Sequence, residues 1–148
     1  MVNRLILFLL VALGGAGLAV QSTWNARLRV ATGSPVLATI VSLTVSLLAL
    51  LLLWTSGTTE RGALPAFNSI PTWAWLGGVF AAYYLVSSLV AIPKIGVASV
   101  FSLIIAGQVI MSLILDATGA FGVNQISISG SRLLGTVLLL TGTILIQK

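Results

Sequence analysis

Gln21 and Asn25 stand four residues apart inside one long apolar run, and Gln108 stands in another. A spacing of four puts two side chains on one face of a helix. Each amide offers donors and an acceptor. In hydrocarbon such groups have two uses. They can wall a substrate crevice, since intramembrane polar residues mark functional paths. They can also tie helices together, at about 0.6 kcal/mol per bond and up to about 2 kcal/mol. Both uses are open for these amides. Gly14 and Leu18 continue the face of Gln21 and Asn25, and Phe101, Ile105 and Ser112 share the face of Gln108. Thr39, Ser42 and Ser46 share a face in a further run, where hydroxyls often bond back to their own helix carbonyls. Tyr84 and Ser88 could line the same crevice or simply pack. The candidate substrate-binding set is therefore Gln21, Asn25, Ser42, Tyr84, Ser88, Gln108 and Ser112.

The charged residues are few. Arg27 and Arg29 follow the first apolar run, and Ser34-Pro35 opens the next. A helix N-terminus with free N–H groups attracts anions, so Arg27, Arg29 and Ser34 form a candidate anion contact. The alternative is lipid phosphate on the arginines and an ordinary Ser-Pro cap. Of the two acids, Glu60 lies in a loop and Asp116 at the end of a run, so neither sits deep in the membrane. Arg132, at the start of a helix, needs Asp116 or a lipid phosphate as its partner. With no His and no Cys there is no imidazole base, thiol nucleophile or thiolate metal site. No catalytic residue, metal or cofactor is expected, and an enzyme is the least favoured class.

The elements that must hold these residues follow from composition. Of 148 residues, 58% are hydrophobic and only 6% charged, with a net charge of +5. A soluble domain carries roughly 25% charged residues. The seven cations are scattered singly, so nucleic acid is not an expected partner. Crossing about 30 Å of hydrocarbon takes about 20 apolar residues. Five stretches fit, at about 5–25, 35–54, 73–92, 97–115 and 131–146. The expectation is a single all-α, multi-pass transmembrane domain over residues 1–148. Arg4, an apolar core, Gly17 and Ala19 also suit a signal peptide. The apolar run continues past the cleavage point, which favours a retained span.

Lys and Arg in short loops set orientation. One side would hold Arg4, Arg61 and Arg132, and the other Arg27, Arg29, Lys94 and Lys148. Three against four barely specifies a direction. Either a single weakly biased topology or dual topology is consistent with this. Five short helices hardly enclose a solvated path, whereas an antiparallel pair makes ten helices with the inverted symmetry common in transporters. Gly135 and Gly142, seven apart on the fifth span, are the candidate dimer contact.

The order and spacing of several short segments carry a resemblance. They are Gln21-Ser-Thr-Trp-Asn25, Gly33-Ser34-Pro35, Trp73-Ala-Trp75-Leu-Gly77-Gly78, Ile92-Pro93-Lys94-Ile95-Gly96, Gly107-Gln108, Asp116-Ala-Thr-Gly119 and Arg132-Leu-Leu-Gly135. Together they resemble the small five-span YdcZ-like bacterial family of the drug/metabolite transporter superfamily. The chain departs from that pattern at Thr72, at Ala117 and Thr118, and at Ser46. The resemblance implies transport by paired inverted five-helix units. The expected function is secondary transport of a small metabolite or amphiphile, with an anion one option, by an antiparallel homodimer. The alternatives are an accessory membrane subunit and a protein that moves lipids or amphiphiles.

Overall fold

The structure is a computed structural model and describes residues 4–58, 62 and 70–148. Glu60 and Arg61, placed above in a loop, lie outside the described residues. Among the described residues all regular structure is helical: α1 (Arg4–Thr32), α2 (Pro35–Thr55), α3 (Gly77–Ile95), α4 (Val97–Thr118) and α5 (Gly130–Ile146). A 3-10 turn over Thr72–Leu76 leads into α3, and another over Ala120–Gly122 follows α4. Lipid offers the backbone no hydrogen bonds, so apolar runs must satisfy their own N–H and C=O groups as helices. The segments Arg4–Thr32, Pro35–Thr55, Thr72–Ile95 and Val97–Thr118 are each long and apolar enough to cross a membrane. α5 is apolar but shorter, at 17 residues.

Local chemistry sets the helix ends. Ser34 Oγ accepts from the N–H of Leu37 at 3.2 Å, with Pro35 in the first helical position. Ser129 Oγ likewise accepts from the N–H of Arg132, at 3.3 Å, and caps α5. Only Gly33 and Ser34 separate α1 from α2, and Gly96 alone separates α3 from α4. Gly33 has φ +68° and Gly96 φ +82°. A side chain at either would crowd its own backbone, so these short connections call for glycine.

Helices α1, α3 and α4 run further than their hydropathy suggests, α4 by three residues to Thr118. α1 continues past Asn25 to Thr32, so Arg27 and Arg29 ride on the helix instead of following it. Ala26, Arg27, Leu28 and Arg29 are all good helix formers, and no breaker comes before Gly33. The hydropathy edge therefore marks where the hydrocarbon stops, not where the helix ends. α3 likewise passes through Pro93 and Lys94 to Ile95.

The chain forms two compact units, Met1–Pro93 and Lys94–Lys148. In the first, α1 packs on α2 next to the Gly33 connection. Its buried residues are Ser22 and Asn25 of α1, Ala38, Thr39 and Ser42 of α2, and Leu85, Ser88, Leu89 and Ile92 of α3. The halves of α1 and α2 distant from that connection stay exposed, including Leu9, Val11, Leu13, Leu48 and Leu52. Apolar exposure of this kind suits lipid, which is as apolar as leucine. In the second unit α4 and α5 form an antiparallel hairpin tied at both ends. At one end Thr143 Oγ1 donates to the Ser102 carbonyl at 3.3 Å, and Gln147 Nε2 donates to the Ser99 carbonyl and Ser102 Oγ, both at 3.2 Å. At the other end Arg132 pairs with Asp116, one of the two partners open to it.

Candidate functional site

The first unit concentrates polar groups where α1 and α2 meet. Asn25, 7% exposed, donates from Nδ2 to Ser42 Oγ at 2.9 Å. Ser22 sits one turn before Asn25 on the same side of α1 and is fully buried. Thr39 sits one turn before Ser42 on α2 and is also buried. Gln21 is only half-buried, beside this face. The seam thus runs through Ser22 and Asn25, so the inward face is turned slightly from the one that Gln21 and Asn25 share.

Its hydroxyls differ from the others in the chain. On exposed faces, Thr23 donates to the Ala19 carbonyl at 2.9 Å, Thr44 to Ile40 at 2.8 Å and Thr141 to Val137 at 2.8 Å. Back-bonding of this kind hides a hydroxyl from lipid. Ser46 does the same, donating to the Ser42 carbonyl at 3.0 Å. Ser22 Oγ, Thr39 Oγ1 and the Tyr84 hydroxyl are buried with no hydrogen-bond partner among the described residues. A buried polar group left unpaired costs about 1–3 kcal/mol. Three in one unit give it unused capacity for a polar guest. Ser88, also buried, donates to the Tyr84 carbonyl at 2.7 Å and is satisfied within α3.

One cation is tied into this unit through its guanidinium. Arg29 is half-buried, and its Nη1 donates to the Leu89 carbonyl of α3 at 2.6 Å. That carbonyl has a specific vacancy to fill. In an α-helix Leu89 would accept from the N–H four residues on, which is Pro93. Proline has no N–H, and its ring crowds that same carbonyl. A proline inside a membrane helix is tolerated when another group satisfies the freed carbonyl, and Arg29 does so. No Cα of α3 comes within 8 Å of one in α1 or α2, so the long arginine side chain spans a gap between backbones. Arg27, two residues earlier and about 200° round the helix, is exposed. The two arginines, two residues apart in sequence, thus have different surroundings. Ser34, the third member of the candidate anion contact, serves as the cap of α2.

The remaining candidates belong to the second unit. Gln108 is exposed, well round α4 from the buried Ser102 and Ala106. Ser112 is exposed and donates back to the Val109 carbonyl at 2.9 Å. Gly135 is exposed. Gly142 is half-buried and lines an open apolar groove of about 220 Å³ with Ser102, Ile105, Leu139, Thr143 and Ile146. A Cβ at either glycine would meet nothing within 4 Å.

Sequence reasoning missed Ser22, and it missed the link from Arg29 through Leu89 to Pro93. Ser22 could have been found as the residue one turn before Asn25. Pro93 could have been read as freeing the Leu89 carbonyl, but nothing local indicates which donor would reach it.

The family model described as "Putative inner membrane exporter, YdcZ" matches residues 6–145. The chain is 26% identical over 143 residues to a protein of Escherichia coli (strain K12) called inner membrane protein YdcZ, covering 95% of this chain and 93% of that one. No solved structure gives a significant match.

Proposed function

The chain belongs to the YdcZ inner-membrane family, as a multi-pass helical membrane protein, and on that footing we propose that it is a secondary transporter for a small polar metabolite or amphiphile. In this reading five helices cross per chain, and two chains pair antiparallel to make one ten-helix carrier. The substrate occupies the seam of Ser22, Asn25, Thr39 and Ser42, with Tyr84 and Ser88 of α3 beside it. Gln21, Gln108 and Ser112 are proposed to line the path outside that seam, and Gly135 and Gly142 to meet the partner copy. Exchange of shape between the two protomers turns an inward-open pair into an equivalent outward-open one. The proposed role is transport and not catalysis.

One observation carries this reading. The exposed hydroxyls Thr23, Thr44 and Thr141 are bonded to their own helices, whereas the buried Ser22 and Thr39 hydroxyls are not. Buried groups that serve only packing would be paired. The test uses purified protein in proteoliposomes and a panel of labelled carboxylates, amines, sugars and amphiphiles. Ser22→Ala and Thr39→Val should abolish flux of the transported compound while leaving cross-linked dimers intact.

A structural role for the seam finds support in the Asn25–Ser42 bond, which joins two helices of one chain. That role predicts that Asn25→Ala loses assembly together with flux. Loss of flux alone favours transport.

A further inference from the structure

We propose that Arg29 is an oxyanion site, and that an anion bound there competes with the Leu89 carbonyl and so loosens α3 at Pro93. This rests on the transport reading and names the chemistry its substrate must carry: a carboxylate, phosphate or sulfonate group.

The guanidinium has five N–H donors in a planar fork suited to a bidentate oxyanion. One Nη1 donor is used on Leu89, at 2.6 Å. No acid among the described residues pairs with Arg29, because Asp116 is held by Arg132. Helices α1, α2 and α3 contain no Asp or Glu at all. A half-buried guanidinium facing one neutral carbonyl lacks the negative charge that would stabilise it best. An exposed arginine such as Arg27 finds that charge in water or lipid headgroups, but Arg29 is turned inward along the same side of α1 as Ser22 and Asn25. The free hydroxyl of Ser22 lies two turns deeper on that side, available to the rest of the same molecule.

The carbonyl contact makes binding consequential. Pro93 withdraws the N–H that the Leu89 carbonyl would ordinarily accept from, and the Arg29 guanidinium donates in its place. An anion that draws Arg29 away therefore leaves the α3 turn at Pro93 without its tie to α1. An oxyanion outcompetes a neutral carbonyl, because it brings the opposite charge and accepts two parallel N–H bonds from the fork. Anion binding and release of the Leu89 carbonyl are then linked, and by reciprocity any change that frees Arg29 from Leu89 strengthens anion binding.

The oxyanion could be a free metabolite or a lipid phosphate, and the test separates them. The protein, labelled with 15N-arginine, is placed in nanodiscs of phosphatidylcholine alone, and the Nε–H signal of Arg29 is assigned by its loss in Arg29→Lys. Inorganic phosphate and succinate are titrated separately, with glycerol as the neutral control. A saturable shift of the Arg29 signal by either anion, absent with glycerol, supports a soluble ligand. A shift seen only when phosphatidylglycerol is added to the nanodisc assigns the site to a lipid headgroup. Pro93→Ala, which returns a backbone donor to Leu89, should raise the affinity for the effective anion about tenfold. An unmoved Arg29 signal in all three arms overturns the proposal, and so does an unchanged affinity in Pro93→Ala. Flux of an uncharged compound that depends on Ser22 would preserve the transport reading while removing this one. An Arg29 response to anions with no flux of any compound would do the reverse.

Discussion

Replacing Arg29 should destabilise the protein for a reason that a second substitution can erase. Arg29→Met keeps much of the apolar stem and removes the donor that reaches the Leu89 carbonyl at 2.6 Å. Pro93 prevents the carbonyl from finding its ordinary helical partner. A buried acceptor left unpaired costs about 1–3 kcal/mol, which is about 5- to 150-fold in the folding equilibrium. In a Pro93→Ala background, the introduced alanine supplies the missing N–H and the ring no longer crowds the carbonyl. There Arg29→Met should cost under about 0.5 kcal/mol, the usual effect for a side chain that has lost its special partner. The four proteins form a double-mutant cycle with an expected coupling of about 1–2.5 kcal/mol. Reversible unfolding in mixed micelles, followed by tryptophan fluorescence, measures it. An equal cost of Arg29→Met in both backgrounds would refute the idea that the arginine substitutes for the proline's absent donor.

A similar cycle on Asn25→Ala and Ser42→Ala, also read by unfolding in micelles, should give a coupling near 0.6 kcal/mol and below about 2 kcal/mol; a value indistinguishable from zero would mean that the 2.9 Å bond contributes nothing. Gly96→Ala, at φ +82°, should lower stability by about 1–2 kcal/mol in the same assay, because alanine is strained in the left-handed region. Asp116→Asn should cost about 1 kcal/mol or less, since both partners of its ion pair are partly exposed, and a thermal melt that falls steeply would contradict this. The chain has no native cysteine, so Lys148→Cys gives a single reactive thiol. About half of that population should label from outside intact cells with an impermeant reagent if both orientations exist, and all-or-none labelling would exclude the antiparallel homodimer. Lys148 is preferred to Gln147 for this purpose, because Gln147 ties α5 to α4.

The all-helical membrane class was legible in the sequence for a physical reason. Hydrocarbon leaves the backbone no partner but itself, so long apolar runs of this composition become helices wherever tertiary packing puts them. The glycine connections at Gly33 and Gly96 and the caps at Ser34 and Ser129 are equally local. Which side of each helix turns inward is a different matter. In water, an apolar stripe on a polar helix identifies the buried face. In α2, apolar residues lie on every side, and lipid accepts all of them. Thus Gln21 and Asn25 look equivalent in sequence, and only the position of Ser42 on α2 decides that Asn25 is buried and bonded. Likewise Arg27 and Arg29 read as one pair of cations until α3 supplies, 60 residues away, a carbonyl that Pro93 has left without a donor. The sequence by itself determined the helices and the caps at Ser34 and Ser129, because each of those rests on neighbours in the chain. The tertiary structure alone decided which polar groups are paired and which are left free, because pairing depends on distances between residues far apart in sequence.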